Sequence, residues 1–226
     1  DPILKERMFG LSNTEGNHGE DVKEQYYYLD STPTHSYMRM LYKYPQTRYP
    51  HEELVSQNKS RTKHDPEFEL IDTGIFDVSA YFDCYVEYAK SDVGDILIRI
   101  TAINRGKEAA PIVVVPTLWF RNTWSWGYPS GPMRDVPNAP IINCDKQCGL
   151  IKAYHSALGS YHLHGEKPED IIFTENATNS ERLFGKPGLS PYVKDAFHRY
   201  IVNGETSAVN PQQTGTKAAF VYRRTL

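Results

Sequence analysis

The sequence has little of several features that would classify a protein at once. It has three cysteines in 226 residues, which argues against a disulfide framework and is typical of a reducing, cytoplasmic compartment. No stretch approaches the ~18 consecutive apolar residues of a membrane span, and no signal peptide is visible. The formal net charge of −3 does not provide the basic surface that nucleic-acid binding needs. We therefore expect a cytoplasmic protein with neither a membrane nor a nucleic acid as partner.

Common catalytic motifs are missing as well. There is no Gly-x-Ser-x-Gly elbow, no Walker loop and no dinucleotide fingerprint, so no cofactor is predicted. Cys144 and Cys148 lack the further ligands that a zinc site would need. The chain has many acidic residues, but none lies in a recognisable frame for the two carboxylates of a glycosidase. Motifs alone therefore assign no catalytic residue and no metal ligand.

Strand patterns dominate what is present. In residues 95–106, Ile96, Ile98 and Ile100 lie on one face and Arg99 and Thr101 on the other, as in a half-buried strand. Residues 104–108 then predict a hairpin turn that leads into a nearly all-apolar second strand from Pro111, covered on both faces. Four strand patterns at a spacing of roughly 12 residues favour an antiparallel β-sandwich. The length and the 39% hydrophobic content fit one domain spanning residues 1–226.

Further elements are expected around this region. Residues 68–76 alternate weakly as a strand, residues 149–154 and 160–164 predict a hairpin, and residues 170–174 and 216–223 predict strands. Helix signals are confined to two short segments. One is residues 50–58, and the other is residues 190–204, with Ser190 as the cap, Pro191 at the first position and Gly204 at the end. The predicted architecture is thus mainly β, with long loops and a few short helices.

Two loops are candidate sites. The Gly-rich stretch 15–24 carries polar side chains that could hold sugar hydroxyls or present a carboxylate, although a solvated loop with local turns has the same composition. The aromatic stretch 121–127 follows a predicted strand and could stack on a sugar ring or fill a groove of another domain. The candidate residues are Asn17, His18, Glu20, Asp21, Arg121, Asn122, Trp124 and Trp126.

Histidines provide an alternative of a different class. His162 and His164 lie two residues apart on a predicted strand and hence on one face. Together with Glu166, or with His18 and nearby acids, they could bind a metal in a metal-dependent β-fold enzyme. Paired strand histidines without a clear third ligand are more often surface residues, so the sequence favours no metal site.

Several long stretches of the chain carry distinctive motifs. Two of them are Glu15-Gly-Asn-His-Gly-Glu-Asp-Val-Lys-Glu24 and Pro116-Thr-Leu-Trp-Phe-Arg-Asn-Thr-Trp-Ser-Trp-Gly127. The others are residues 1–11, 28–37, 42–46, 66–77, 173–176 and 181–185. In this order and over nearly the whole chain, these stretches resemble the amino-terminal β-domain of bacterial glucosidase-type proteins of glycoside hydrolase family 63.

The resemblance implies a β-sandwich of the supersandwich type followed by an (α/α)₆ barrel that carries the catalytic acid and base of an inverting α-glycosidase. This chain contains no helical repeat of the barrel type, so we expect it to be truncated at both ends and inactive alone. Its expected role is that of a non-catalytic domain that packs on the barrel of the same polypeptide and shapes the pocket for a carbohydrate substrate. The alternative is a stand-alone carbohydrate-binding module that uses Trp124 and Trp126 as a stacking platform.

Overall fold

The computed structural model describes residues 26–122, 124, 139–145, 149–188 and 190–226. In these residues strands account for 41% and helices for 17%, and the sheets are antiparallel, which confirms the mainly β prediction. None of the helices in these ranges is long and apolar enough to cross a membrane. The chain divides into two compact units, residues 1–111 with 225–226 and residues 112–224. The expectation of one domain over residues 1–226 stays a prediction.

The first unit contains one four-stranded antiparallel sheet in the order β1-β2-β3-β4. Its strands are β1 (Tyr26–Ser31), β2 (Tyr37–Pro45), β3 (Tyr81–Asp92) and β4 (Asp95–Asn104). Between β2 and β3 lie helix α1 (His51–Lys59) and a 3₁₀ helix (Leu70–Thr73). The register places Met38, Tyr88 and Ile98 in one cross-strand row, so apolar side chains share one face of this sheet.

The opposite face of this sheet carries charged rows. Arg39, Glu87 and Arg99 are cross-strand neighbours. The Glu87 carboxylate accepts hydrogen bonds from Arg99 at 2.8 and 2.9 Å and from the Tyr37 hydroxyl at 2.7 Å. The hydrogen bonds from Arg99, followed by that from Tyr37, lower the pKa of Glu87 to about 2. The two faces of the sheet therefore differ sharply in polarity.

A small core anchors α1 in the first unit. Leu54 of α1 and Leu70 of the 3₁₀ helix are buried together with Tyr49. The side chain of Asn58 joins α1 to the following segment, because it donates to the carbonyl of Phe68 at 3.0 Å and accepts from the amide of Phe68 at 2.8 Å. The helix predicted at residues 50–58 is thus confirmed.

The second unit contains two four-stranded antiparallel sheets. In one, β10 (Asp170–Thr174), β12 (Lys217–Thr225) and β5 (Pro111–Val114) are neighbours, and β6 (Thr117–Trp119) also pairs with β12. In the other the order is β11-β7-β8-β9, with β7 (Ile141–Asp145), β8 (Leu150–His155), β9 (Gly159–Leu163) and β11 (Thr214–Gly215). Helices α2 (Ser180–Phe184) and α3 (Ala196–Asn203) and a 3₁₀ helix (Thr206–Ala208) lie between β10 and β11.

One hydrophobic core is shared by these two sheets. Ile142 and Ile151 from one sheet lie in the same buried cluster as Phe173 and Phe220 from the other. Two sheets around one core have the layering of a β-sandwich. The hairpin predicted at residues 149–164 is confirmed as β8–β9, and the strands predicted at residues 170–174 and 216–223 are confirmed as β10 and β12.

The hairpin predicted around residues 104–108 does not form. β4 pairs with β3, whereas β5 pairs with β12 in another sheet, so the residues between them connect two sheets. The expectation that the strand from Pro111 is covered on both faces is also wrong. Ile112 is buried but Val113 is 37% exposed, as in a strand with one covered face. In both places long-range pairing, which local sequence does not encode, decided the outcome.

Two further predictions are corrected. Residues 70–73 form a 3₁₀ helix rather than a strand, because Asp72 accepts a hydrogen bond from the Glu69 amide at 2.9 Å and closes a local turn. Helix α3 begins at Ala196 rather than at Pro191. The reason is that the Tyr192 carbonyl accepts from the Glu175 amide and the Lys194 amide donates to Ala177, which holds this backbone against the segment after β10. The predicted end at Gly204 is correct.

Candidate functional site

The structure describes three of the eight predicted site residues. Asn17, His18, Glu20, Asp21 and Trp126 lie outside the described residues. Arg121 and Asn122 follow directly after β6 and Phe120, and Trp124 lies two residues further along. Arg121 is exposed, while Asn122 and Trp124 are partly buried. The site described below is therefore the end of β6 and the segments that hold it, and we call it the β6 rim, formed by residues 120–122, 174–176 and 215–217.

A reciprocal pair of amide hydrogen bonds fixes the β6 rim. The side chain of Asn122 donates to the carbonyl of Asn176 at 2.7 Å, and the side chain of Asn176 donates to the carbonyl of Phe120 at 2.9 Å. Each bond joins residues more than fifty positions apart in the sequence. Because two side chains bond to two main-chain carbonyls, the backbone on both sides of Arg121 is held in place.

A single hydroxyl extends this network to Thr216, the residue before β12. Thr216 Oγ1 accepts a hydrogen bond from the Asn176 amide at 2.7 Å and donates one to Glu175 Oε2 at 2.7 Å. A hydroxyl can act as donor and acceptor at once, so one side chain orients both residues. The Glu175 amide in turn donates to the carbonyl of Tyr192 at 2.9 Å. The Glu175 carboxylate is thus positioned at the rim by its neighbours on both sides.

Glycine at position 215 allows β11 and β10 to approach closely. A Cβ placed on Gly215 would overlap the carbonyl oxygen of Thr174 and would lie 2.9 Å from its carbonyl carbon. The Thr216 amide donates to this same carbonyl at 3.1 Å. A side chain at position 215 would therefore separate the two backbones that bring Glu175 and Thr216 together.

A buried lysine underlies the rim. Lys217 is 3% exposed, its Nζ donates to the carbonyl of Lys194 at 2.9 Å, and it lies 4.2 Å from the centre of the Phe197 ring. A cation over an aromatic face is attracted by the ring quadrupole. Burial of a cation is costly unless such partners compensate it, so the position of Lys217 is closely defined.

The β6 rim carries groups of both charges. Arg121 is exposed, the Glu175 carboxylate is held by Thr216, and the partly buried Trp124 follows the rim in the sequence. Guanidinium and carboxylate groups, and the faces of aromatic rings, bind hydroxyl-rich ligands or polar protein surfaces.

Sequence reasoning missed the residues that organise the rim. Glu175, Asn176, Thr216 and Lys217 were not among the predicted site residues. A signal for the first two existed, since residues 173–176 belong to the stretches that carry the family resemblance. Thr216 and Lys217 carry no such signal, because their role depends on the pairing of β12 with β10.

The second unit also contains a cleft of about 460 Å³ that holds none of the predicted residues. Glu169, Asp170 and Tyr200 line it. Both acids are ion-paired, Asp170 to Arg223 at 2.7 Å and Glu169 to Arg224. A hydrogen bond from the Arg223 amide, followed by that from the Arg224 side chain, lowers the pKa of Glu169. These carboxylates are held by the two arginines near the end of β12.

The histidine alternative gains no support. The rings of His162 and His164 are 6.3 Å apart between centres. Among the residues that the structure describes, no group of three or more His, Cys, Asp or Glu side chains could hold a metal ion. His18, which the alternative also invoked, lies outside those residues.

Comparison with known proteins gives a relative without a described function. The chain is 40% identical to the uncharacterized protein YMR196W of Saccharomyces cerevisiae over 255 aligned positions, which cover 98% of this chain and 23% of the yeast protein. The chain thus spans about a quarter of that relative's length. No family model matches the chain, and no solved structure matches it.

Proposed function

We propose that this chain is a non-catalytic β-domain of an inverting α-glycosidase, that it packs on an (α/α)₆ catalytic barrel in the same polypeptide, and that it shapes the barrel's carbohydrate pocket. The observation that carries the proposal is the β6 rim. Its two amide hydrogen bonds join two stretches that separately resemble the family 63 β-domain, residues 116–127 and 173–176. A rim held by these hydrogen bonds, with Arg121 exposed on it and Trp124 following it in the sequence, is suited to contact with another domain or with a sugar.

Two further findings support this role. The chain spans 23% of its yeast relative, so a protein of that size has room for a large second domain. The β6 rim contributes one carboxylate among its described residues, which fits a supporting role better than hydrolysis. In the proposal the catalytic acid and base belong to the barrel. The proposed location is the cytoplasm, as the low cysteine content favours.

The test uses the complete gene product that carries these residues. We expect it to hydrolyse an α-glucoside with inversion, as followed by NMR of the released anomer. Trp124→Ala and His18→Ala should lower kcat/KM by about tenfold or reduce thermal stability, since a lost contact at a pocket rim disturbs substrate position. Trp119→Ala is the matched control, because it removes the same side chain at a site on β6 that is 46% exposed and not among the predicted site residues.

Three outcomes would contradict the proposal. The first is a gene product without a barrel domain, and the second is a full-length protein without glycosidase activity. The third is a pair of variants, Trp124→Ala and His18→Ala, that leave both activity and stability at the level of the Trp119→Ala control.

The second candidate is a stand-alone carbohydrate-binding module. It is favoured by exposed aromatic side chains in the second unit, among them Trp119, Tyr154 and Tyr161 at 46, 53 and 49% exposure. However, Tyr154 pairs with Ser160, the neighbour of Tyr161, so the two tyrosines point to opposite faces of their sheet and do not form one flat platform. Calorimetric titration of the 226-residue chain with α-glucosides distinguishes the two functions, since only the module should bind them alone.

A further inference from the structure

β4 forms one edge of the sheet in the first unit. It pairs with β3 on one side, and among the described residues no strand pairs with its other side. The strand is ten residues long, which is long for an edge. An open edge presents a row of backbone N–H and C=O groups that can pair with another extended segment.

β4 exposes large aliphatic side chains. Ile96, Ile98 and Ile100 lie on its apolar face and are 54, 48 and 36% exposed. On the charged face, Leu97 and Ile103 are 59 and 36% exposed. A contiguous exposed aliphatic surface of this kind marks a place that another element covers. β4 thus has one aliphatic face and one mixed face in the position of an edge strand.

β4 also lacks two features that protect natural edges, since it contains neither proline nor lysine. Its one cation, Arg99, is bound to Glu87 of the neighbouring strand at 2.8 and 2.9 Å, so this charge is neutralised within the sheet. The opposite edge differs, because β1 has a register shift between Tyr28 and Asp30 that interrupts regular pairing. Of the two edges, β4 is the one suited to accept a further strand.

We propose that an extended segment of the same polypeptide, outside these 226 residues, pairs with β4 as the next strand and covers its aliphatic side chains. This rests on the part of the proposed function that places the chain in a longer polypeptide, and not on glycosidase activity. The yeast relative has more than three quarters of its length outside the matched region, which is ample for such a segment. The carbonyl of Leu226 accepts a hydrogen bond from the Asn104 side chain at 2.8 Å, so Leu226 lies beside the last residue of β4.

The test is amide hydrogen exchange followed by mass spectrometry on the complete gene product and on the 226-residue chain. In an antiparallel sheet every second amide of an edge strand points away from its neighbour. We expect these amides within residues 95–104 to exchange about tenfold or more slowly in the complete product, since an added strand protects them. Peptides from β2, which already pairs on both sides, should exchange alike in the two forms.

A pair of variants tests whether the slower amide exchange arises at β4. Ile98→Lys in the complete product should restore fast exchange in residues 95–104, because a lysine on this face disfavours a covering segment. Val93→Lys is the control, since Val93 is 96% exposed in the turn before β4 and its substitution should leave the exchange unchanged.

Equal exchange of β4 amides in the complete product and in the 226-residue chain would overturn the proposal. Protection in the short chain that disappears on dilution would also overturn it, in favour of a second copy as the partner. Neither result depends on hydrolysis, so failure here is distinct from failure of the proposed function.

Discussion

The sheet of the first unit and the paired sheets of the second unit are built from similar strands but bury them differently. Ile98 in β4 is 48% exposed, whereas Ile151 in β8 is fully buried. Both residues lie on strands in which apolar side chains recur at alternate positions. The difference is the second layer, since β8 faces Phe173 and Phe220 across a shared core. Alternation therefore determines which side chains share a face, and packing determines whether that face is covered.

The largest expected effect comes from the same substitution in the two units. Ile151→Ala should destabilise the 226-residue chain by about 2–5 kcal/mol, because it leaves a cavity in the shared core. Ile98→Ala removes the same atoms from a half-exposed site and should cost less than about 1 kcal/mol. Urea denaturation followed by circular dichroism measures both. Equal losses would show that β4 is covered in the isolated chain and would remove the contrast between the two units.

Two glycines provide the next comparison. Gly215→Ala should destabilise the second unit by about 1–3 kcal/mol, since its Cβ would overlap the Thr174 carbonyl where β11 meets β10. Gly94→Ala in the turn before β4 meets no atom within 4 Å and should stay within about 0.5 kcal/mol of the unchanged protein. The measurement is again the denaturation midpoint. A neutral Gly215→Ala would mean that the β6 rim does not need this close approach.

The smallest loss of stability at neutral pH is expected from Glu87→Gln on the charged face of the first unit. The reason is that Arg99, which pairs with Glu87, is largely exposed to solvent. Because the pKa of Glu87 is lowered from 4.5 to about 2 in the folded state, the unfolded state binds its proton more readily. The stabilisation is present above pH ~4.5 and is lost as the pH falls towards 2. Thermal unfolding between pH 6 and pH 2 should show this loss, and Glu87→Gln should reduce the pH dependence. An unchanged pH profile in Glu87→Gln would assign the acid sensitivity to other carboxylates.

How far the sequence predicts this molecule depends on how local each feature is. The end of α3 at Gly204, the β8–β9 hairpin and the alternation along β4 follow from neighbouring residues, and the structure has them. The start of α3 does not, because its backbone bonds to residues 175–177 from another part of the chain. The candidate site divides in the same way. Arg121, Asn122 and Trp124 were predicted from one aromatic stretch, but Asn176, which bonds to Asn122 and to the Phe120 carbonyl, lies more than fifty residues away.

The sequence by itself determined the mainly β class, the antiparallel strands and the faces on which side chains lie, because these depend on a two-residue period and on turns between neighbours. Only the tertiary structure decided that β4 and β5 belong to different sheets, that Thr216 links Glu175 with Asn176, and that one sheet has a covering layer while β4 remains an exposed edge. The physical reason is that each of these features depends on pairing between distant strands, whose free energy arises from packing and hydrogen bonding across the fold rather than from local preference.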